Sequence, residues 1–391
     1  MTQTDVSAPV RARRLAVASV ALGTFTIVTS EMLPVGLLTS IASDLGVSAG
    51  TAGLTMTAPG LVAAIAAPVL AVTTRRLDRR HVLLGLMALL AVANLVAASA
   101  PTYPVMLAAR VLTGVSIGGF WAFAAGIGAR LVPERAVGRA TSIILGGVSV
   151  ASVLGVPAGT FVSSFAGWRS TFVATGVLAV ALLVLLAATL PPLRPPAAPV
   201  AAPARDKRFS WLSGPLTVVL ALTALTVSGH FAAYTYLRPF LEEVSLAGPA
   251  LVSTALLLYG AAGVAGNFAA GARAARNPRS TLITLAVLMA LSMAALALTG
   301  LPPLVALVVW GLGYGGVGVT LQLWIMREGG GELGTALFVS AFNVSIALGA
   351  FAGGRIADGV SVSAVMWAGT GLAVVSAAVA GIWGRNRTTG S

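Results

Sequence analysis

With 57% of its 391 residues hydrophobic and 9% charged, the chain is too apolar for a soluble enzyme, whose domains average about 25% charged residues. The net charge of +13 does not mark a nucleic-acid binder, because the arginines stand in short clusters between long apolar runs. Cysteine is absent, which excludes disulfides, thiolate metal sites and a cysteine nucleophile.

Residues 1–14 form a polar tail that ends in Arg11, Arg13 and Arg14. The apolar run from Leu15 is too long for a signal peptide and further spans follow it, so it reads as an uncleaved first transmembrane helix. At about 20 residues per span, the sequence predicts twelve, at 15–38, 50–74, 82–100, 104–131, 139–164, 169–190, 213–238, 249–272, 280–299, 302–326, 333–357 and 362–384. The expected fold is therefore an all-α membrane protein. A segment rich in Pro and Ala, 191–212, is a semi-rigid spacer. It separates an N-terminal six-helix bundle (15–190) from a C-terminal one (213–384), and residues 385–391 form a tail. Glu31-Met32-Leu33-Pro34 and Tyr236-Leu237-Arg238-Pro239 hold corresponding places near the ends of spans one and seven, a weak internal repeat. Two related halves with a site between them near mid-membrane are a transporter architecture.

Arginine placement predicts the orientation. With the N-terminus in the cytoplasm, 20 of the 24 Lys and Arg residues fall on the inner side. Only Arg169, Arg238 and Arg355 fall outside, and Arg110 lies within the membrane. Both termini are thus expected in the cytoplasm, on a multi-pass chain of the inner (plasma) membrane.

A lone charge at membrane depth is expensive, so Arg110 must face protein or water. At 100° per residue, Gly114, Gly118 and Trp121 share its helical face, a candidate wall for a polar path. Glu31 is the acidic residue deep in a span of the first half. Counted along their spans, both charges lie about 10 Å below the outer boundary, within reach of pairing or of a bridging water. Desolvation pulls a carboxyl at such a depth toward its neutral form, and an arginine pulls it toward the charged form. Substrate or conformation can tip that balance, which makes Glu31 and Arg110 candidates for proton coupling. The alternative is a static pair that neutralises two buried charges.

In the second half His230 and Tyr234 are i,i+4 neighbours on one helix face. The histidine is a candidate hydrogen-bonding or titrating group, or a satisfied structural residue. Arg238, near the outer end, is expected to snorkel. Span ten carries Trp310, Tyr314, Gln322 and Trp324 among glycines that permit close packing or bending, and Tyr314 is a candidate substrate contact. Asn343, nearer mid-span, is a candidate polar contact. The single lysine, Lys207, follows Asp206, so no phosphate-binding Gly-Lys-Ser/Thr loop exists. The two histidines, His81 and His230, give no clustered metal site. No Gly-x-Ser-x-Gly elbow supports an esterase. No catalytic residue, metal or cofactor is expected, and the proton gradient is the expected energy source.

Taken in order, these motifs resemble the major facilitator superfamily over nearly the whole chain. Arg110-Val111-Leu112-Thr113-Gly114 looks like its fourth-helix Arg-x-x-x-Gly motif, which implies proton coupling. Gly155-Val156-Pro157-Ala158-Gly159 looks like a shortened fifth-helix antiporter motif, followed by Gly167-Trp168-Arg169. Gly353-Gly354-Arg355 with Asp358 matches an eleventh-helix pattern of the drug/metabolite:proton antiporter branch. The loop after span two departs from the family's Gly-x-x-x-Asp-x-x-Gly-Arg-Arg. Ala71, Arg75 and Asp78 stand at the Gly, Asp and Gly places before Arg79-Arg80, so the resemblance implies an altered latch in which Asp78 supplies the acid.

Within the branch the chain is most similar to bacterial purine ribonucleoside efflux pumps. Glu31-Met32-Leu33-Pro34-Val35, Gly118-Gly119-Phe120-Trp121-Ala122, Arg130-Leu131-Val132-Pro133, Gly229-His230-Phe231 and Tyr234-Thr235-Tyr236-Leu237-Arg238-Pro239 carry that similarity. It implies export of a small molecule against protons by alternating access, without nucleic acid and with a monomer as the working unit in the bilayer. Phe120, Trp121, Phe231 and Tyr234 are then candidates to stack on a flat base, with His230 and Asn343 serving its polar edges. The alternatives are a chloramphenicol-type drug or sugar efflux pump, or a passive facilitator or importer without proton coupling.

Overall fold

The structure, a computed structural model, describes residues 10–133, 136–193, 214–298, 303–328 and 331–383. Of the expected N-terminal tail, residues 1–9 lie outside the described residues and residues 10–14 begin the first helix; residues 194–212 of the expected linker and the tail 385–391 also lie outside. Among the described residues the regular structure is helical, without strands. In chain order the helices are α1 (Val10–Leu45), α2 (Ala49–Thr73), α3 (Arg79–Ser99), α4 (Tyr103–Leu131), α5 (Val137–Val150), α6 (Val156–Thr189), α7 (Gly214–Tyr234) and α8 (Leu237–Glu243). Then come α9 (Pro249–Ala274), α10 (Pro278–Ala297), α11 (Pro303–Gly315), α12 (Val317–Arg327), α13 (Gly331–Gly359) and α14 (Val362–Trp383).

Eleven helical stretches among the described residues are long and apolar enough to cross a membrane. One of them, Val137–Thr189, runs for 53 residues, about 80 Å at 1.5 Å per residue, against a hydrocarbon core of about 30 Å. It is two crossings. At Gly167 the backbone leaves the helix with φ 79° and ψ 160°, a conformation open to a residue without Cβ. The fifth and sixth expected spans meet there, which completes the twelve. Within the fifth, α5 passes into α6 through a π-helical turn, Ala151–Gly155. Pro157 has no N–H for the Val153 carbonyl, and widening the helix by one residue per turn accommodates that missing bond.

Two other spans are interrupted where the sequence predicts continuity. Span seven stops at Tyr234, turns through Thr235 and Tyr236, and restarts as α8. Pro239 explains the break: it cannot bond the Thr235 carbonyl, and it falls in the first turn of α8, where proline is tolerated. Span ten divides into α11 and α12 at Gly315-Gly316. At Gly315 an added Cβ would lie 2.0 Å from the Gly263 carbonyl oxygen of α9, so the two backbones touch directly.

The chain divides into two compact units, Met1–Leu33 with Leu61–Ala204, and Pro34–Gly60 with Arg205–Ser391. The first unit packs around Ile27, Met87, Leu90, Ile117, Phe120 and Ile144. The second buries Leu222, Phe240, Met289, Trp310, Leu321 and Ile346. Large apolar side chains such as Ile65, Phe161, Phe165, Val184 and Phe268 are exposed instead, the surface that a multi-pass protein offers to lipid.

Candidate functional site

Two clusters of the predicted site residues are buried, one in each unit. In the first, α1 carries Pro34 within a continuous helix, so the Ser30 carbonyl loses its partner four residues on. Arg110 of α4, fully buried, supplies the missing donor. Its Nη1 donates to the Ser30 carbonyl at 2.9 Å and its Nη2 to the Glu31 carbonyl at 3.0 Å. Ser30 is tied further, its hydroxyl donating to Asn94 Oδ1 of α3 at 3.0 Å, while Asn94 Nδ2 donates to the Leu90 carbonyl at 2.8 Å. The turn of α1 before Pro34 is thus held by polar groups from two other helices. Arg110 bonds the main chain at Glu31, and its guanidinium also acts electrostatically on the Glu31 carboxylate. Among the described residues that carboxylate, in a residue 7% exposed, accepts no hydrogen bond.

The glycine face of α4 is not an open wall. A Cβ on Gly118 would lie 2.5 Å from the Ala63 carbonyl oxygen of α2, so that face is filled by a close backbone crossing, and Gly114 is buried. Phe120 belongs to the apolar core of the first unit, next to Gly23, and half-buried Trp121 packs against the same core.

The second unit gathers six rings from three helices. His230, Phe231 and Tyr234 come from the last turns of α7, Tyr259 from α9, and Trp310 and Tyr314 from α11. His230 stacks on Tyr314 with centroids 3.3 Å apart and planes at 5°, and on Tyr234 at 4.9 Å and 21°. Tyr259 stacks on Tyr234 at 4.8 Å, and its hydroxyl lies 3.5 Å from His230 Nε2. Trp310 stands edge-on to His230, Tyr234 and Tyr259, at 74°, 87° and 81°. Phe231 closes another side, edge-on to His230, Tyr234 and Tyr314. All are buried except Tyr314, which is half-buried. The Nδ1 of His230 and the Nε1 of Trp310 have no hydrogen-bond partner.

Asn343 stays apart from this cluster, half-buried on α13, its Nδ2 donating to the Val339 carbonyl of its own helix at 2.9 Å. The motif residues do structural work. Asp78 Oδ1 caps α3, accepting from the Arg80 amide and the Leu193 amide at 2.8 Å each. Arg80 donates to the Ala187 carbonyl at 2.6 Å, and Arg79 donates to Thr74 while its guanidinium lies 4.4 Å from the centre of the Phe123 ring. The altered loop is therefore fastened within the first unit, to the end of α6. Gly155 faces the Thr29 side chain, Pro157 sits in the first turn of α6, and the Gly159 carbonyl accepts from the Thr171 hydroxyl at 3.1 Å. Arg355 is exposed. Asp358 accepts from the Ser48 hydroxyl at 2.6 Å and the Gly50 amide at 2.8 Å, at the start of α2. Gly354 leaves room for the Tyr236 hydroxyl, which would lie 2.5 Å from an added Cβ.

Three participants escape the sequence reading: Asn94, Ser30 and Tyr259. Each is a polar side chain within an apolar span, and that is the signal that would have found them, since a buried polar group needs a partner.

A family model described as Major Facilitator Superfamily matches residues 20–337. The transcription regulatory protein OpdE of Pseudomonas aeruginosa is 33% identical, over 92% of this chain and 91% of its own. The purine ribonucleoside efflux pump NepI of Escherichia coli is 31% identical, over 91% of this chain and 90% of its own. A solved structure of a bacterial homolog of the human lysosomal transporter Spinster superposes with a TM-score of 0.77. At 16% identity it covers 96% of this chain and 98% of its own.

Proposed function

The chain belongs to the major facilitator superfamily, and from that premise we propose that it is a proton-coupled secondary exporter of a purine ribonucleoside or a comparable small molecule. The observation that carries this reading is Glu31. Its carboxylate is buried, accepts no hydrogen bond among the described residues, and lies beside the Pro34 interruption of α1 that Arg110 serves. Burial disfavours its charged form and the nearby Arg110 guanidinium favours it, so substrate or conformation can tip the balance and move a proton on or off. The purine ribonucleoside efflux of NepI supports a nucleoside as cargo. The transcription regulatory role of OpdE stays with that protein, since the arginines here cluster at span ends rather than along a binding stripe. Export from the cytoplasm, a monomeric working unit, an inner-membrane location and cytoplasmic termini complete the proposal, the last two supported by the arginine distribution.

The test is inosine transport by the purified protein in liposomes carrying an imposed pH gradient. The wild type should accumulate inosine in proportion to the gradient and lose the accumulation when an ionophore collapses it. Glu31→Gln should abolish gradient-driven accumulation while leaving downhill exchange of inosine. Full accumulation by Glu31→Gln would remove Glu31 from the coupling, and accumulation that ignores the ionophore would make the protein a facilitator.

A further inference from the structure

The ring cluster of the second unit is crowded and incompletely satisfied. Aromatic pairs prefer offset or edge-on arrangements with centroids 4.5–7 Å apart, and a face-to-face sandwich is the least favoured. His230 and Tyr314 form such a sandwich at 3.3 Å and 5°. In the same cluster the two nitrogens without partners, His230 Nδ1 and Trp310 Nε1, belong to side chains 1% and 0% exposed. Buried polar atoms are nearly always paired, so two orphans within one ring cluster call for a partner that comes and goes.

We propose that this cluster is a binding subsite for a flat aromatic ring with a hydrogen-bond acceptor on its edge, a chemistry shared by nucleobases and by nitrophenyl drugs. The ring enters between His230 and Tyr314, which separate to stack on its two faces. Trp310 Nε1 donates to the acceptor on its edge, and His230 Nδ1, which bonds in the plane of the imidazole, meets a polar substituent that extends past the stacked ring. The neutral imidazole has one donor and one acceptor nitrogen, so its role at Nδ1 is the opposite of its role toward Tyr259 at Nε2.

The backbone supports entry from the Tyr314 side. Tyr314 is the half-buried member of the cluster, and it immediately precedes the Gly315-Gly316 break between α11 and α12. His230 and Tyr234 precede the corresponding break between α7 and α8. Rings next to two interrupted helices can separate without unwinding a continuous span. The proposal rests on the exporter reading for its cargo and deepens it by assigning recognition to the ring rather than to the sugar.

The experiment measures equilibrium binding of inosine, chloramphenicol and arabinose to the full-length protein in detergent. The wild type should bind inosine or chloramphenicol at least ten times more tightly than arabinose, and which of the two binds tells a nucleobase from a drug. Trp310→Phe and His230→Phe keep a ring in place while removing the nitrogens, and each should weaken the preferred ring compound by about tenfold. A naphthyl riboside, flat but without edge acceptors, tests the edge contact without any substitution. The wild type should bind it about tenfold more weakly than inosine if inosine is the preferred compound.

Arabinose bound as tightly as the ring compounds, or no ring compound bound at all, overturns the subsite. So does an unchanged affinity in both variants. Ring binding lost in the variants of a protein that moves no protons would overturn the antiport and leave the subsite standing. Gradient-driven inosine accumulation untouched by both variants would do the reverse.

Discussion

The two units solve the burial of polar side chains in opposite ways. Arg110 is fully buried and hydrogen-bonded to two carbonyls of α1, one of them made partnerless by Pro34. His230 is as deeply buried, yet one of its nitrogens and the indole nitrogen beside it have no partner. A satisfied buried group fixes a structure, because moving it exposes the groups that it serves. An unsatisfied one holds interaction energy in reserve for a ligand. The difference separates two tasks, holding α1 together at Pro34 and receiving a ring.

The strongest way to break that comparison is to remove the satisfied group. Arg110→Leu strands the Ser30 carbonyl, worth about 1–3 kcal/mol when left without a donor, and takes from the Glu31 carbonyl a charged hydrogen bond worth about 1.5–3 kcal/mol. The variant should lose roughly 2–5 kcal/mol of stability, read as a large fall in melting temperature in detergent, and should lose transport with it. The proline provides the control. Pro34→Ala restores a backbone N–H to the Ser30 carbonyl, so the double variant should be less destabilised than the sum of the two single changes. Strict additivity would mean that Arg110 does not stand in for the bond that Pro34 removes.

A smaller effect is expected at matched glycines, one in each region. A Cβ on Gly118 would lie 2.5 Å from the Ala63 carbonyl oxygen, and one on Gly311, beside Trp310, would lie 2.3 Å from the Tyr259 carbonyl oxygen. In both cases the obstacle is backbone rather than a flexible side chain. Each alanine should destabilise by about 1–3 kcal/mol. Only Gly311→Ala, which pushes α11 away from α9, should also weaken binding of the ring compound. Equal loss of binding in Gly118→Ala would show that general loosening, not the ring cluster, sets the affinity.

Much of the fold is legible in the sequence because hydrophobic length is a direct statement about a bilayer. The twelve runs mark the spans, and the Gly167 turn separates two of them as the run lengths require. The breaks after Tyr234 and at Gly315-Gly316 are harder to read, since proline and glycine also occur in unbroken spans, as Pro34 does in α1. Of the residues singled out in the sequence, His230, Phe231, Tyr234 and Tyr314 meet in one cluster, whereas Phe120 lies in the core of the first unit and Asn343 bonds its own helix. Helical spacing places residues on a face but does not say which helix covers it. Tyr259 joins its cluster through the packing of α9 on α11, and Asn94 through its hydrogen bond with Ser30, and no local pattern encodes either.

The smallest expected effect tests whether burial alone sets the weight of such contacts. Asp358 serves a backbone as Arg110 does, reaching from α13 to accept from the Gly50 amide and the Ser48 hydroxyl where α2 begins. A carboxylate over a helix N-terminus is favourable both as a cap and toward the helix dipole. Asp358 is exposed, however, so water can replace it at the amide. Asp358→Ala should therefore lose about 1 kcal/mol, the usual weight of a cap, and Asp358→Asn, which keeps an acceptor, clearly less. Neither change should alter binding of the ring compound in detergent. Thermal melting of the two variants beside Arg110→Leu gives the ratio directly. A loss from Asp358→Ala as large as that from Arg110→Leu would mean that the start of α2 is held by this carboxylate alone, and that exposure to water does not weaken it.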